Sequence, residues 1–242
     1  MLRTINTLFR LTGYTVIFLL WGNPLAAQWS IGVGGGLNVA FNNLIFDQSL
    51  SEIKQRGNLS GLALSLPIEY PSGRMFSFQS GLIYIQKGTR FNYEETSSGQ
   101  SFSSKYIIDY LELPLAGKLG LEVKPFRLYV LGGTHIGYAL NMKSVRLSND
   151  PDLPFRETRP LDFELTGISR WDISLMIGGG FEAYISEGRR LFVEMRFNAG
   201  IKDIDEADDV EVYNESRTFT MGMMIPLPFK RRNLPAAGEQ QY

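Results

Sequence analysis

The sequence predicts an all-β fold, an eight-stranded antiparallel transmembrane up-and-down β-barrel with a filled polar lumen. Three observations lead there. Apolar residues recur at every second position in eight stretches, the pattern of strands with one apolar face. These stretches are long, whereas strands of soluble proteins average about 5–6 residues and a membrane-crossing strand needs about 9–11. The connections alternate in length: 71–74, 121–125 and 186–190 are short, and 42–58, 88–104, 142–167 and 203–216 are long. Membrane barrels show this asymmetry, with tight turns on one side and long loops on the other.

Along the chain, an export signal comes first. Residues 1–10 carry Arg3 and Arg10 and no acid, 11–21 are an apolar run, and Asn23-Pro24 ends it before Ala26-Ala27-Gln28. This is the layout of a secretory signal peptide, cut between Ala27 and Gln28. The apolar run is short for a membrane span of about 20 residues. The alternating stretches follow at 29–41, 62–70, 76–84, 111–119, 126–140, 171–183, 191–201 and 219–229. Their apolar register contains no charged residue, in a chain that is 20% charged. Lipid accounts for that: a Lys or Arg facing mid-membrane costs about 2–4 kcal/mol. Aromatic residues gather at the stretch ends, with Trp29, Tyr70, Phe76, Phe126, Phe181 and Phe229 at one and Phe41, Tyr84, Tyr138, Trp171 and Phe219 at the other. Such residues form interfacial girdles. Closure into a barrel is required because an open strand edge in lipid leaves backbone groups unpaired. The division is then signal peptide 1–27, barrel domain 28–229 and a polar tail 230–242.

Composition narrows the function classes. No 18-residue apolar run follows the signal, which argues against helical spans; the mean hydropathy is −0.08. The formal charge of −1 becomes −3 once Arg3 and Arg10 are removed. No basic stripe with interleaved aromatics supports nucleic-acid binding. The chain has no cysteine, which rules out disulfides, thiolate metal sites and a cysteine nucleophile.

Eight strands enclose only enough space for side chains. The register opposite the lipid face carries Glu69, Glu112, Lys118, Arg127, His135, Asp172, Glu182, Glu194 and Arg196. These are expected to form a structural, ion-paired polar core, because isolated buried charges are costly. Inward Gly61, Gly81, Gly133, Gly137, Gly178, Gly180 and Gly222 would make room for long side chains.

Catalytic readings find little support. His135, the single histidine, could meet inward-facing Ser174 and Asp172, but no motif accompanies that trio, and a structural histidine is the plainer expectation. The acidic run Asp203, Asp205, Glu206, Asp208, Asp209 and Glu211 lacks an EF-hand pattern and reads as a solvated loop. Gly32-Val33-Gly34-Gly35-Gly36 lies inside a strand with no helix after it, so it does not read as a phosphate loop. The expectation is a non-enzymatic protein without metal or cofactor. The longest outer loop, 142–167, with Arg146, Arg156 and Arg159, is the first place to seek a binding partner.

Several stretches resemble the PorT-like outer-membrane β-barrel proteins of Bacteroidetes-type bacteria. They are Ser30-Ile31-Gly32-Val33-Gly34-Gly35-Gly36-Leu37-Asn38, Phe78 to Gly88 (FQSGLIYIQKG), Tyr110-Leu111-Glu112-Leu113-Pro114-Leu115, Leu128 to Gly133 (LYVLGG), Ile177 to Glu182 (IGGGFE) and Phe192 to Phe197 (FVEMRF). The resemblance covers residues 28–229. It implies an eight-stranded barrel in the outer membrane, no catalytic residues, and a role supporting type IX-type protein secretion or envelope integrity. The alternative is a surface binding or adhesion module acting through the long extracellular loops. An even strand number puts both termini in the periplasm. Expected partners are outer-membrane lipid and lipopolysaccharide, with a secretion machinery or a surface protein as candidate protein partners.

Overall fold

A computed structural model describes residues 28–46, 55–94, 101–148, 155–186, 188–205 and 210–228. The strands are β1 (Ser30–Phe46), β2 (Gln55–Gly57), β3 (Leu59–Pro71), β4 (Phe76–Glu94), β5 (Ser101–Val123), β6 (Phe126–Ser148), β7 (Arg156–Pro160), β8 (Trp171–Ser186), β9 (Arg189–Gly200) and β10 (Val210–Pro226). One short helix, α1 (Phe163–Thr166), precedes β8.

Eight of these strands pair as consecutive antiparallel neighbours, β1-β3-β4-β5-β6-β8-β9-β10, and β10 returns to β1. That last pairing runs from Ser30↔Pro226 to Phe46↔Val210 and closes the ring. It is reinforced where Leu227 N–H donates to Trp29 O at 2.7 Å and Gln28 Nε2 donates to Leu227 O at 2.8 Å. Closure satisfies the backbone of both terminal strands, as a lipid environment demands.

The apolar register of the sequence is the outer face of the ring. Leu37, Val130 and Ile177 are 64%, 60% and 67% exposed on the bare protein, so this face is no water-soluble core; it is the surface that lipid covers. Trp29 packs at a tilt against Tyr70 near the short-turn end, and Tyr138 meets Trp171 edge to face near the other, ring centroids 5.0 Å apart in each pair.

The expected long loops need correction. β4, β5 and β6 have 19, 23 and 23 residues, about twice what the membrane requires. Their pairing runs on through Glu94↔Ser101 and Phe102↔Ser148, inside segments expected to be loops. β7 adds to β6 from Lys143↔Pro160 to Leu147↔Arg156, β2 adds to β4, and β10 starts at Val210 within the expected loop 203–216. The physical reason is that above the membrane both faces of a strand meet water, so the two-residue apolar period fades while hydrogen bonding continues.

The rest of the third outer segment folds over the barrel mouth. Asp162 caps α1 by accepting from Glu164 N–H at 2.9 Å, and Gly167 ends it at φ 68°, a left-handed C-terminal stop. Phe163 is thereby buried against Ile85, Ile108, Tyr110 and Met142. Ser169 N–H donates to Ile204 O at 2.7 Å, tying this lid to the 201–205 segment. The last strand ends at Pro226 rather than at 229. The expected signal peptide 1–27, Phe229 and the tail 230–242 lie outside the described residues.

Candidate functional site

Pleating places alternate side chains inside the ring. All nine polar residues singled out from the sequence are enclosed there: Glu69, Glu112, Lys118, Arg127, His135, Asp172, Glu182, Glu194 and Arg196 are each buried. The structure divides them into three groups.

The first lies at the short-turn end. Glu69 and Glu182 face three cations. Arg127 Nη1 is 2.9 Å from Glu69 and 3.5 Å from Glu182. Arg190 is 2.8 Å from Glu182 and 3.4 Å from Glu69. Lys118 is 3.2 Å from Glu69, also pairs with Glu182, and lies 3.8 Å from the centroid of the Tyr129 ring. In the second group, Glu194 accepts from Tyr129 Oη at 2.9 Å and from Arg196 Nε at 2.5 Å. The third lies nearer the mouth. Lys87 Nζ sits 2.5 Å from Glu112 and 2.9 Å from Asp172. Asn214 donates to Asp172 at 3.0 Å, and Glu112 lies 2.8 Å from His135 Nδ1.

Lys87 and Arg190 were not singled out from the sequence. They change the electrostatics: the five acids of the expected set face five bases rather than three. An unbalanced buried set is costly, so the surplus of acid was itself a signal that cations were missing. Lys87 shares the odd-numbered inward register of β4 with Ser77, Gln79, Ile83 and Ile85. Arg190 shares the even-numbered register of β9 with Phe192, Glu194 and Arg196. A further carboxylate, Asp109, lies at the outer rim, 3.9 Å from Lys143.

The imagined triad does not assemble. His135 directs Nδ1 to Glu112 and Nε2 to Met176 Sδ, 2.9 Å away. Asp172 is held by Lys87 and Asn214, and the Ser174 hydroxyl has no hydrogen-bond partner among the described residues. A nucleophile needs its base within hydrogen-bond reach, and here the base is turned to other groups.

Glycines shape the interior in two ways. At Gly180 a Cβ would lie 2.2 Å from the Val193 carbonyl oxygen and 2.7 Å from Tyr129 Oη, so its absence serves both close strand approach and the slot for that ring. At Gly133 it would strike the Leu115 carbonyl oxygen at 2.0 Å; there the need is close strand approach, not side-chain room, which corrects the expectation for that position. In the acidic segment, Asp203 Oδ1 accepts from Asp205 N–H at 3.0 Å and Val212 N–H at 2.8 Å, which assigns one carboxylate to loop structure. Residues 206–209 lie outside the described residues. Among the described residues, no group of three or more His, Cys, Asp or Glu could hold a metal ion.

The family comparison agrees with this architecture. Residues 23–206 match the family described as outer membrane protein beta-barrel domain.

The chain belongs to that family.

It is therefore an outer-membrane β-barrel protein. No curated protein sequence matches it. Among solved structures it is similar to the Neisserial surface protein A, at 12% identity and a TM-score of 0.44, covering 84% of this chain and 99% of that one. It is likewise similar to OprG from Pseudomonas aeruginosa, at 12% identity and a TM-score of 0.46, covering 84% and 97%. For Ail, the attachment invasion locus protein of Yersinia pestis, the identity is 14% and the TM-score 0.36, covering 82% and 99%.

Proposed function

We propose that this outer-membrane barrel is a non-enzymatic surface binding module whose working part is the sheet formed by β4–β7 above the lipid. One observation carries the reading. Beyond the Tyr138–Trp171 pair, β6 continues to Ser148, about 30 Å of further strand at 3.3 Å per residue. A barrel that only had to anchor itself would not need this extension. β7 borders the sheet, and its far side has no strand partner among the described residues. Arg146, Arg156 and Arg159 are exposed on this platform. A 210 Å³ recess between Tyr106, Ser144, Arg146, Glu157 and Arg159 lies on it. The balance of charge favours an anionic partner.

The test has two parts. Trypsin added to intact cells should cut after Arg156, because the reading places the platform outside and both termini in the periplasm. Replacing 143–160 by a short turn should leave a folded barrel that no longer labels neighbouring surface molecules when the chain carries a proximity-labelling tag. Resistance of the platform on intact cells, with cleavage only after lysis, would overturn the reading.

The second reading, support of type IX-type secretion or envelope integrity, is favoured by the six stretches that resemble PorT-like proteins. Deletion of the whole protein should then trap sorting-domain cargo in the periplasm, and the chain lacking 143–160 should restore export. Normal export after deletion would remove this reading and leave the first.

A further inference from the structure

β7 borders the platform sheet, and the hydrogen-bonding groups of that border can be assigned one by one. Antiparallel partners alternate between pairs that exchange both backbone hydrogen bonds and pairs that exchange none. Ser148 N–H donates to Phe155 O and Leu161 N–H donates to Met142 O, each at 2.9 Å. These two bonded pairs flank the register that runs from Leu147↔Arg156 to Lys143↔Pro160. The bonded set on this strand is therefore Phe155, Glu157, Arg159 and Leu161, whose backbone groups point at β6. Arg156, Thr158 and Pro160 turn theirs the other way, where no strand follows among the described residues.

The open edge thus offers N–H groups at Arg156 and Thr158 and carbonyls at Arg156, Thr158 and Pro160. Proline has no N–H, so donors are missing at the membrane end of the edge and present at its far end. Arg156 and Thr158 are both exposed. Such a row is a template for one more strand.

Side-chain charge selects the strand. Alternation puts Arg156 and Thr158 on one face of the sheet and Glu157 and Arg159 on the other. Glu157 and Arg159 stand beside Arg146 and Ser144, around the 210 Å³ recess. Three arginines thus surround the edge, and the one carboxylate among them, Glu157, is already paired with Arg159. An added strand has arginine next to it on both faces. Opposite charges support cross-strand neighbours and like charges destabilise them. Charged edges keep unsuitable strands away; cationic ones repel basic strands and favour an acidic one.

We propose that β7 takes up an extended acidic segment of a partner protein as a further strand of the platform. The proposal rests on the surface-binding reading and names the partner of that surface. Arg156 and Thr158 exchange backbone hydrogen bonds with the incoming strand, and Arg156 and Arg159 meet its carboxylates on the two faces. A sulfated glycan carries the same sign of charge, but it has no N–H and C=O groups at strand spacing and leaves the backbone row of Arg156 and Thr158 unused.

The test is binding of labelled peptides to the barrel in lipid nanodiscs. A peptide of alternating Glu and Thr should bind, and one of alternating Lys and Thr should not. Thr158→Pro removes an outward N–H and no bond to β6, and it should weaken binding about tenfold or more. Thr158→Val, which keeps that N–H, should bind like the unaltered chain. A fully N-methylated Glu-Thr peptide should not bind; it probes the same hydrogen bonds without touching the barrel and decides the matter if Thr158→Pro fails to fold. Replacing Arg156 and Arg159 together by Gln should erase the preference for the Glu-Thr peptide over a neutral Ser-Thr one. Folding is checked by the heat-dependent gel shift of the barrel. Equal binding of the plain and N-methylated peptides, or unchanged binding in folded Thr158→Pro, would overturn the proposal. Binding of dextran sulfate without binding of the Glu-Thr peptide would overturn strand addition and leave the surface-binding reading standing. Binding of neither would remove both.

Discussion

Glu182→Gln is the most informative single change to the lumen. In the short-turn cluster two carboxylates hold Lys118, Arg127 and Arg190, so the group carries a formal excess of one positive charge. The substitution keeps shape and burial but raises that excess to two and leaves Glu69 alone against three cations. The lost attractions, to Lys118, to Arg190 at 2.8 Å and to Arg127 at 3.5 Å, are each of order 5 kcal/mol at an effective dielectric of about 20. Most of that gross sum is offset, because the variant no longer buries a carboxylate. Breaking a buried pair by removing one partner has a net cost of about 3–5 kcal/mol. The assay is reversible urea unfolding of the barrel in lipid vesicles, followed by tryptophan fluorescence. With a slope of about 1–3 kcal/mol per molar urea, the midpoint should fall by at least about 1 M. Arg190→Met supplies the contrast: it removes contacts too, but brings the cluster to neutrality, and should cost clearly less. A Glu182→Gln loss below about 1 kcal/mol would refute the reasoning. An Arg190→Met loss as large as that of Glu182→Gln would show that contact number, not charge balance, governs the lumen.

Four further outcomes follow from the same barrel. Gly180→Ala would put a Cβ 2.2 Å from the Val193 carbonyl oxygen and should cost about 1–3 kcal/mol in the same assay. Gly35→Ala, whose nearest neighbour would be Leu64 Cδ2 at 3.5 Å, should be neutral or stabilising by up to about 1 kcal/mol. Tyr129→Phe removes the donor 2.9 Å from Glu194 and should cost about 1–3 kcal/mol, visible as a lower urea midpoint with an unchanged gel shift. Planar bilayers holding the protein should show no steady ion current, since ionic groups fill the bore and Phe163 covers its mouth; stepwise openings would contradict a closed lumen.

The barrel was legible wherever lipid constrains the chain. Over 29–41 or 126–140 a charge on one face is forbidden, so the period appears in the residues themselves. Where that constraint ends, legibility ends too. Residues 88–94 and 101–104 form strand, yet with water on both sides no alternation marks them. The same truncation hid Lys87, three residues past the last apolar position assigned to its strand. Arg190 is hidden because 186–190 carries turn residues in the sequence, whereas β9 starts at Arg189. In both cases the parity is present in the sequence, and the excess of acid over base points to missing cations along it. The lid was beyond reach for another reason. Four helical residues give no periodicity, and Phe163 is a lone apolar anchor whose burial depends on a pocket built by β4, β5 and β6. His135 illustrates a different limit. Register showed that it points inward, but its choice of Glu112 over Ser174 depends on side-chain packing between strands.

The most direct test of the account is a scan along β6. The chain has no cysteine, so single cysteines at successive positions from 126 to 148 carry a spin label without background. In lipid vesicles, collision with oxygen reports lipid and collision with a water-soluble nickel chelate reports solvent. The account predicts high oxygen access at even positions from 126 to 138 and low access to both reagents at odd ones. It also predicts chelate access without lipid access at the partly or fully exposed positions 143, 146 and 147. A lipid signal continuing to 147, or no alternation between 126 and 138, would contradict a barrel that ends near Tyr138 and carries its sheet on into water.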